Sequence, residues 1–232
     1  MDDPNRLLFE SVVCLLGPVL DELVFVGGCT TGMLITDPGA GTVRPTMDVD
    51  AITDIASYAR YDALAERLRA LGLREDVRAG APLCRWRHGD CIIDVMPIDE
   101  EVFGFSNRWY PQAIETAHRV SVAGHPIRLV TAVCFVATKL EAFHGRGNGD
   151  FSASHDLEDV IAVVDGRTEL VAEVAMAEHE IRNYIATEFK ALLADPDFVD
   201  ALPGFLLPDH GSQARRSALM ARLHDLSLLG DS

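Results

Sequence analysis

Residues 24–50 read VFVGGCTTGMLITDPGAGTVRPTMDVD, and their pattern decides the fold. The apolar run Val24-Phe25-Val26 ends in Gly27-Gly28, a strand running into a tight turn. The stretch closes with Asp48-Val49-Asp50. In a strand, residues i and i+2 point to one face, so Asp48 and Asp50 stand side by side while Val49 turns into the core. A third acid, Asp94, lies in Cys91-Ile92-Ile93-Asp94-Val95-Met96-Pro97, which also alternates as a strand. If the two strands are neighbours, three carboxylates converge. Two unit charges ~4 Å apart repel by roughly 4 kcal/mol at an effective dielectric of about 20. A fold keeps such a cluster when protons or cations neutralise it. Hard oxygen ligands with open positions suit Mg²⁺ and phosphate substrates.

The remainder of the sequence sets the frame. At 232 residues, 48% of them hydrophobic, the chain is long enough for one large domain or two small ones. Twenty Lys and Arg against 36 Asp and Glu give a net charge of −16. That argues against non-specific binding to nucleic acid or anionic membrane, although a local basic groove is compatible with it. Five scattered cysteines suit a reducing compartment. Cys84 and Cys91, with His88 between them, match no standard zinc spacing. The start, MDDPNR, lacks a leader pattern, and the longest apolar runs are too short for a bilayer. The expectation is a soluble cytoplasmic protein without a membrane partner.

Hydrophobic period gives the element order. Residues 5–20 carry a helical stripe that Gly17-Pro18 ends. A strand at 23–26 leads into a short helix at 29–35. Residues 37–45 form a Gly- and Pro-rich loop, and 47–52 a strand. Residues 57–71 form an amphipathic helix closed by Gly72. Strands at 83–88 and 91–98, joined at Gly89-Asp90, read as a hairpin. A helix is expected at 111–117 and a last strand at 127–130. The pattern then turns helical: 131–144, a flexible loop at 145–149, 155–164, one long helix at 169–193 and a last one at 212–229. The fold class is therefore α/β or α+β, with a small mixed sheet over residues 1–125 and a helical domain over 126–232 that completes an active cleft.

Val26-Gly27-Gly28, then Asp48-Val49-Asp50, then Asp94 on a later strand, resemble the nucleotidyltransferase superfamily built on the DNA polymerase β-type palm. Lys139 in ATKLEAF, Arg146, and His155-Asp156-Leu157-Glu158-Asp159 look like the Lys…Arg…Asp-x-x-Asp portion of AbiEii-type nucleotidyltransferases. These are the enzymatic halves of toxin–antitoxin pairs, related to the mycobacterial MenT toxins. The resemblance spans roughly residues 20–165. The interval from Gly28 to Asp48 is longer than is usual in that superfamily, with 37–45 as an apparent insertion. Arg44-Pro45-Thr46 stands where the toxins often carry Arg-x-Ser or Arg-x-Thr.

On this reading Asp48, Asp50 and Asp94 hold two Mg²⁺ ions, with Mn²⁺ as a substitute. One ion bridges the triphosphate of an NTP; the other activates an acceptor hydroxyl. Gly27 and Gly28 let the backbone approach phosphate, Thr30 and Thr31 add hydroxyl donors, and the resemblance adds Arg44, Thr46 and Arg146 to the nucleotide site. It also gives Lys139 a phosphate-binding role, with Asp156 orienting Lys139 or Arg146. It implies a tRNA 3′ end as acceptor and a cognate antitoxin as partner. Plainer readings stand beside these. Gly27-Gly28 is then an ordinary turn, Lys139 a snorkelling side chain, and Asp156 and Asp159 partners of a helix dipole. Arg85, Arg87 and Arg108 line an acceptor groove or a solvated face. Trp86, Trp109 and Tyr110 stack on a base or pack in the core. Arg215 and Arg216 lie on the surface, and His155 is a cap or packing residue. The function expected is NMP transfer to a hydroxyl with release of pyrophosphate. The alternatives are a small-molecule or protein nucleotidyltransferase, and a non-catalytic nucleotide- or partner-binding module.

Overall fold

The apolar stripes fold as their periods require. The computed structural model describes residues 3–146 and 150–231. Helix α1 (Arg6–Leu15) buries Phe9, Val12 and Val13 along one stripe, and Gly17–Glu22 follows as a 3₁₀ turn with Pro18 at its start. Strand β1 (Val24–Val26), buried throughout, leads into a 3₁₀ turn at Gly28–Thr30 and helix α2 (Thr31–Leu34). Strand β2 (Asp48–Thr53) comes after the 35–47 loop. Helix α3 (Tyr58–Ala70) is capped by Ser57, whose Oγ accepts from the Arg60 amide, and is closed by Gly72 at φ +86°. Strands β3 (Arg74–Glu75), β4 (Arg85–His88) and β5 (Cys91–Pro97) precede helices α4 (Glu100–Phe103) and α5 (Tyr110–Thr116). The hairpin β6 (His118–Val122) and β7 (His125–Leu129) leads into α6 (Ala132–Arg146) and α7 (His155–Gly166). The chain continues with α8 (Leu170–Ala175), α9 (His179–Ala194), α10 (Pro196–Ala201), α11 (His210–Ala214) and α12 (Arg216–Ser227).

Among the described residues, seven strands form one mixed sheet in the order β3-β4-β5-β2-β1-β7-β6. The mixed α/β class expected from the sequence is the observed one. β2 runs antiparallel to β1 and parallel to β5, and β4–β5 is the expected hairpin. One face of the central strands is apolar: Val49, Ala51, Ile93, Val95 and Trp86 are buried. Tyr61 from α3 locks onto it, donating to the Val95 carbonyl at 3.0 Å and accepting from Trp86 Nε1 at 3.2 Å. Burial pushes the Tyr61 hydroxyl well above its usual range, so it stays protonated as the donor this arrangement needs.

The chain divides into two compact units. One comprises Pro4–Thr30 and Pro45–Thr131 and contains the whole sheet; the other comprises Met1–Asp3, Thr31–Arg44 and Ala132–Ser232. In the second unit the 35–44 segment is fastened to the C-terminal end of α7. The amides of Thr36 and Asp37 both donate to the Gly166 carbonyl, at 3.0 and 2.9 Å. Gly166 is required there, because a Cβ would lie 2.8 Å from the Ile35 side chain. Arg215 bonds Asp165 at 2.8 Å, Asp37 at 2.7 Å and the Asp165 carbonyl at 2.9 Å. It is thus a buried-edge clamp and not the surface residue expected. Two cations, Arg215 and Arg222, end on the last carbonyls of α7, where the helix dipole favours positive charge.

Other expectations need correcting. The single helix read over 169–193 is α8 and α9, separated at 176–178 with Met176 exposed. The last helix is split into α11 and α12, and α12 ends ahead of a 3₁₀ turn at Leu229–Asp231. The N-cap of α7 is Ser154, whose Oγ accepts from the Leu157 amide, so His155 is not the cap. Trp86 and Trp109 are core residues. Residues 147–149 of the expected loop, and the side chain of Arg146, lie outside the described residues. Among the described residues no helix is long and apolar enough to cross a membrane.

Candidate metal centre

The sheet register brings the three acids together. β2 and β5 are adjacent and parallel, with Asp50 opposite Asp94 and Asp48 opposite Ile92. Directly opposed residues of neighbouring strands share a face. Asp48, Asp50 and Asp94 therefore stand on the face opposite Val49 and Ile93. One carboxylate oxygen from each lies within 4.8 Å of the others. Asp94 is buried, while Asp48 and Asp50 are half-buried. Among the described residues this is the grouping of three acidic, His or Cys side chains able to hold a metal; Cys84, His88 and Cys91 do not join one. Burial, then the charges of Asp94 and Asp50, push the Cys84 thiol up to about 12, so it remains neutral at physiological pH.

Each acid is held in place. Thr46 Oγ1 donates to Asp48 Oδ1 at 2.8 Å, and the Thr46 amide donates to Asn5 Oδ1 at 2.8 Å. Buried Asn5 thereby anchors the last residues of the long loop just before β2. Val26 pairs with Asp50, and Gly27 follows at φ +74°. A Cβ on Gly27 would fall within the Asp50 carboxylate. Glycine is thus needed at 27 twice over, for its φ and for the close approach of the acid. The Thr30 hydroxyl donates to the Gly27 carbonyl at 2.8 Å, tightening that turn. Gly28, Thr30 and Thr31 are buried, and Thr31 Oγ1 has no hydrogen-bond partner among the described residues.

Arg85 completes this face. The two-residue turn Gly89-Asp90 sets Arg85 opposite Asp94. Its Nε and Nη2 donate to the two oxygens of Asp94 at 2.8 and 2.7 Å, and Nη2 reaches Asp48 Oδ2 at 3.4 Å. The Asp94 bond, with Asp48 nearby, raises the guanidinium further above its already high value. The pairing follows from counting outward from the Gly-Asp turn, but pattern alone left Arg85 as a groove or surface residue. Arg87 turns to Asp76, 3.6 Å away, and Arg108 is exposed beside the Trp109 ring.

A second charged cluster belongs to the helical unit. Lys139 on α6 places Nζ 3.1 Å from Asp156 Oδ1 and 2.8 Å from Asp159 Oδ2, both on α7. Asp156 and Asp159 are three apart and so share a helix face. Arg44 Nη2 lies 3.2 Å from Asp159, and its Nε 3.7 Å from Glu158. Lys139 is buried and paired, unlike a snorkelling lysine, with Nζ 5.9 Å from the Phe135 ring centre. Asp159, which the sequence offers as a partner of the helix dipole, is the nearer partner of Lys139.

The donor set suits a hard divalent cation: three carboxylates on rigid strands, with the Arg85 guanidinium beside two of them. No protein-family model matches the sequence, and no curated protein matches it. Solved structures do. The solution structure of the antibiotic-resistance factor ANT(2'')-Ia is similar at a TM-score of 0.51 and 17% identity, covering 82% of this chain and 95% of that one. The crystal structure of an antigenic nucleotidyltransferase-like protein from Paracoccidioides brasiliensis aligns at 0.47 and 20%, covering 84% and 92%. The first of these likenesses is one of fold: this chain has the mixed α/β fold found in ANT(2'')-Ia.

Proposed function

We propose that the protein is a metal-dependent nucleotidyltransferase. It moves a nucleoside monophosphate from an NTP to an acceptor hydroxyl and releases pyrophosphate. The observation that carries this reading is the in-register meeting of Asp48, Asp50 and Asp94 on neighbouring parallel strands. In the reaction the acceptor oxygen bonds to the α-phosphorus, the bond to the β-phosphate oxygen breaks, and the hydroxyl proton is lost. Asp48 and Asp50 would hold Mg²⁺, with Asp94 as the third acid of the centre. When bound, the metal would offset phosphate charge and lower the pKa of the acceptor hydroxyl. Thr46 fixes the Asp48 carboxylate in one orientation, and Gly27 leaves room for Asp50. The turn after β1, with Gly28, Thr30 and Thr31, is the assigned triphosphate element, and Arg44, Lys139 and Arg146 are the assigned phosphate cations. Asp156 orients Lys139, in keeping with their 3.1 Å contact.

For the acceptor, the Lys139…Asp156-x-x-Asp159 pattern supports a toxin-like enzyme that modifies a tRNA 3′ end, with a cognate antitoxin. The net charge of −16 favours a second reading, a small-molecule acceptor, because a polyanion is repelled by an acidic protein. Radiolabelled NTP incubated separately with total RNA and with a metabolite extract distinguishes the two. Asp48→Ala should abolish labelling in whichever arm shows it; labelling unchanged in that variant would sink the triad.

A further inference from the structure

The edge of the sheet beyond the acids opposes two arginines. β3 is an edge strand, and its antiparallel register with β4 sets Arg74 directly opposite Arg87. Side chains opposed in this way have Cβ atoms about 4.5–5.5 Å apart, and like charges there are destabilising. The cations around them are answered. Arg69 bonds Glu75 at 3.1 Å, and Arg78 Nε bonds Asp76 at 2.7 Å. Arg87 lies 3.6 Å from Asp76, beyond hydrogen-bond range. The exposed Arg74 side chain has neither an ion pair nor a hydrogen bond among the described residues. Two guanidiniums, each a planar fork of five N–H donors, thus face each other with those donors unused. Arg74, Arg87, Arg78 and His88 line a cavity of about 520 Å³, in which the acids are the already paired Glu75 and Asp76. A phosphate group fits both features: its oxygens accept from each fork, and its charge offsets the opposed pair.

We propose that Arg74 and Arg87 form a phosphate-binding site at the β3–β4 edge, separate from the metal centre. Its ligand is a phosphate-bearing molecule, either small and free or a phosphodiester of a nucleic-acid strand. Arg74 lies two strands from Asp94, roughly 10 Å across the sheet. Occupation of the edge site therefore leaves the acids open and does not depend on nucleotidyl transfer.

The test is calorimetry of the full chain with pyrophosphate and with a short single-stranded RNA, at low salt and in EDTA, so that no metal carries either probe to the acids. Wild type should bind at least one of them. Arg74→Gln, a change at an exposed side chain, should weaken that binding roughly tenfold or more, the effect of losing a charge-assisted hydrogen bond. Arg87→Gln, with its folding checked by melting, should do the same. Arg119→Gln makes the same charge change on β6, the opposite edge strand, and should not weaken binding; nor should Asp48→Ala/Asp50→Ala. RNA bound more tightly than pyrophosphate, with an affinity that falls steeply with salt, would make the ligand a nucleic-acid strand; pyrophosphate bound without RNA would make it a small molecule. Binding of neither probe to wild type, binding unchanged in Arg74→Gln, or an equal loss in Arg119→Gln would overturn the proposal and leave the metal centre standing.

Discussion

Two charged clusters among the described residues differ in composition. On the sheet, three aspartates converge, with Arg85 bonded to Asp94 and close to Asp48. In the helical unit, Lys139 and Arg44 pair with Asp156 and Asp159, with Glu158 at the rim. In the helical cluster each of these cations meets a carboxylate, and Asp159 is only 2% exposed. Such a network contributes by having every member present; remove one and its partner is left charged and buried. On the sheet, three carboxylate oxygens lie within 4.8 Å of one another. Like groups that close are a stability cost that a fold retains where the site has a use. The comparison sets a cluster of paired opposite charges against one in which three like groups converge in a geometry that could hold a metal.

The largest effect should come from the sheet. Asp48→Ala or Asp50→Ala should lower the rate of pyrophosphate release by about 10³-fold or more, since metal ions supply several kcal/mol of charge stabilisation and each 1.36 kcal/mol is tenfold. Far-UV circular dichroism should stay unchanged. Next is the helical cluster. Asp159→Ala should destabilise the protein by about 1.5–3 kcal/mol in urea melts, because it removes the nearer carboxylate of buried Lys139, which keeps Asp156, and loses the Arg44 pair. A loss below about 1 kcal/mol would erase the contrast. Gly27→Ala should cost about 1–3 kcal/mol through its positive φ, and should weaken Mn²⁺ binding as the new methyl displaces the Asp50 carboxylate.

Smaller effects follow. Saturating Mn²⁺ should raise the melting temperature of wild type by about 2–4 °C more than that of Asp50→Asn, equivalent to about 1 kcal/mol. The smallest effect is a pH dependence away from both clusters. Asp76 is held well below the usual carboxylate range by Arg78 first, with Arg87 adding to it. A carboxylate with a depressed folded pKa contributes stability above its unfolded pKa of about 3.9 and loses it as pH falls toward the folded value. Asp76→Asn should therefore flatten the acid limb of a stability–pH profile below about pH 4 and lower stability at neutral pH.

Much of the sheet site was legible in the sequence because period-two alternation is short-range and strict. Asp48 and Asp50 share a face by geometry alone, and Gly89-Asp90 announces the hairpin that carries Asp94. The hairpin also fixes Arg85 opposite Asp94, a consequence that pattern reading did not draw. β6 was hidden because His118, Arg119 and Ser121 are exposed and the strand buries only Val122 fully. The break between α8 and α9 has no Gly or Pro to announce it, and Val174 and Ile181 stay in helical phase across it. The Arg215 clamp joins residues 50 and 178 positions apart, a separation at which local pattern carries no signal.

The most direct test of the central claim is thermal melting with and without Mg²⁺ plus each of the four NTPs, for wild type and Asp48→Ala/Asp50→Ala. A ligand at 100 times its dissociation constant stabilises by about 2.7 kcal/mol, or roughly 5–10 °C for a chain of this size. The account predicts a shift of that order for at least one NTP with Mg²⁺, absent without the metal and absent in the double variant. An equal shift in the double variant, or none with any NTP, would contradict it.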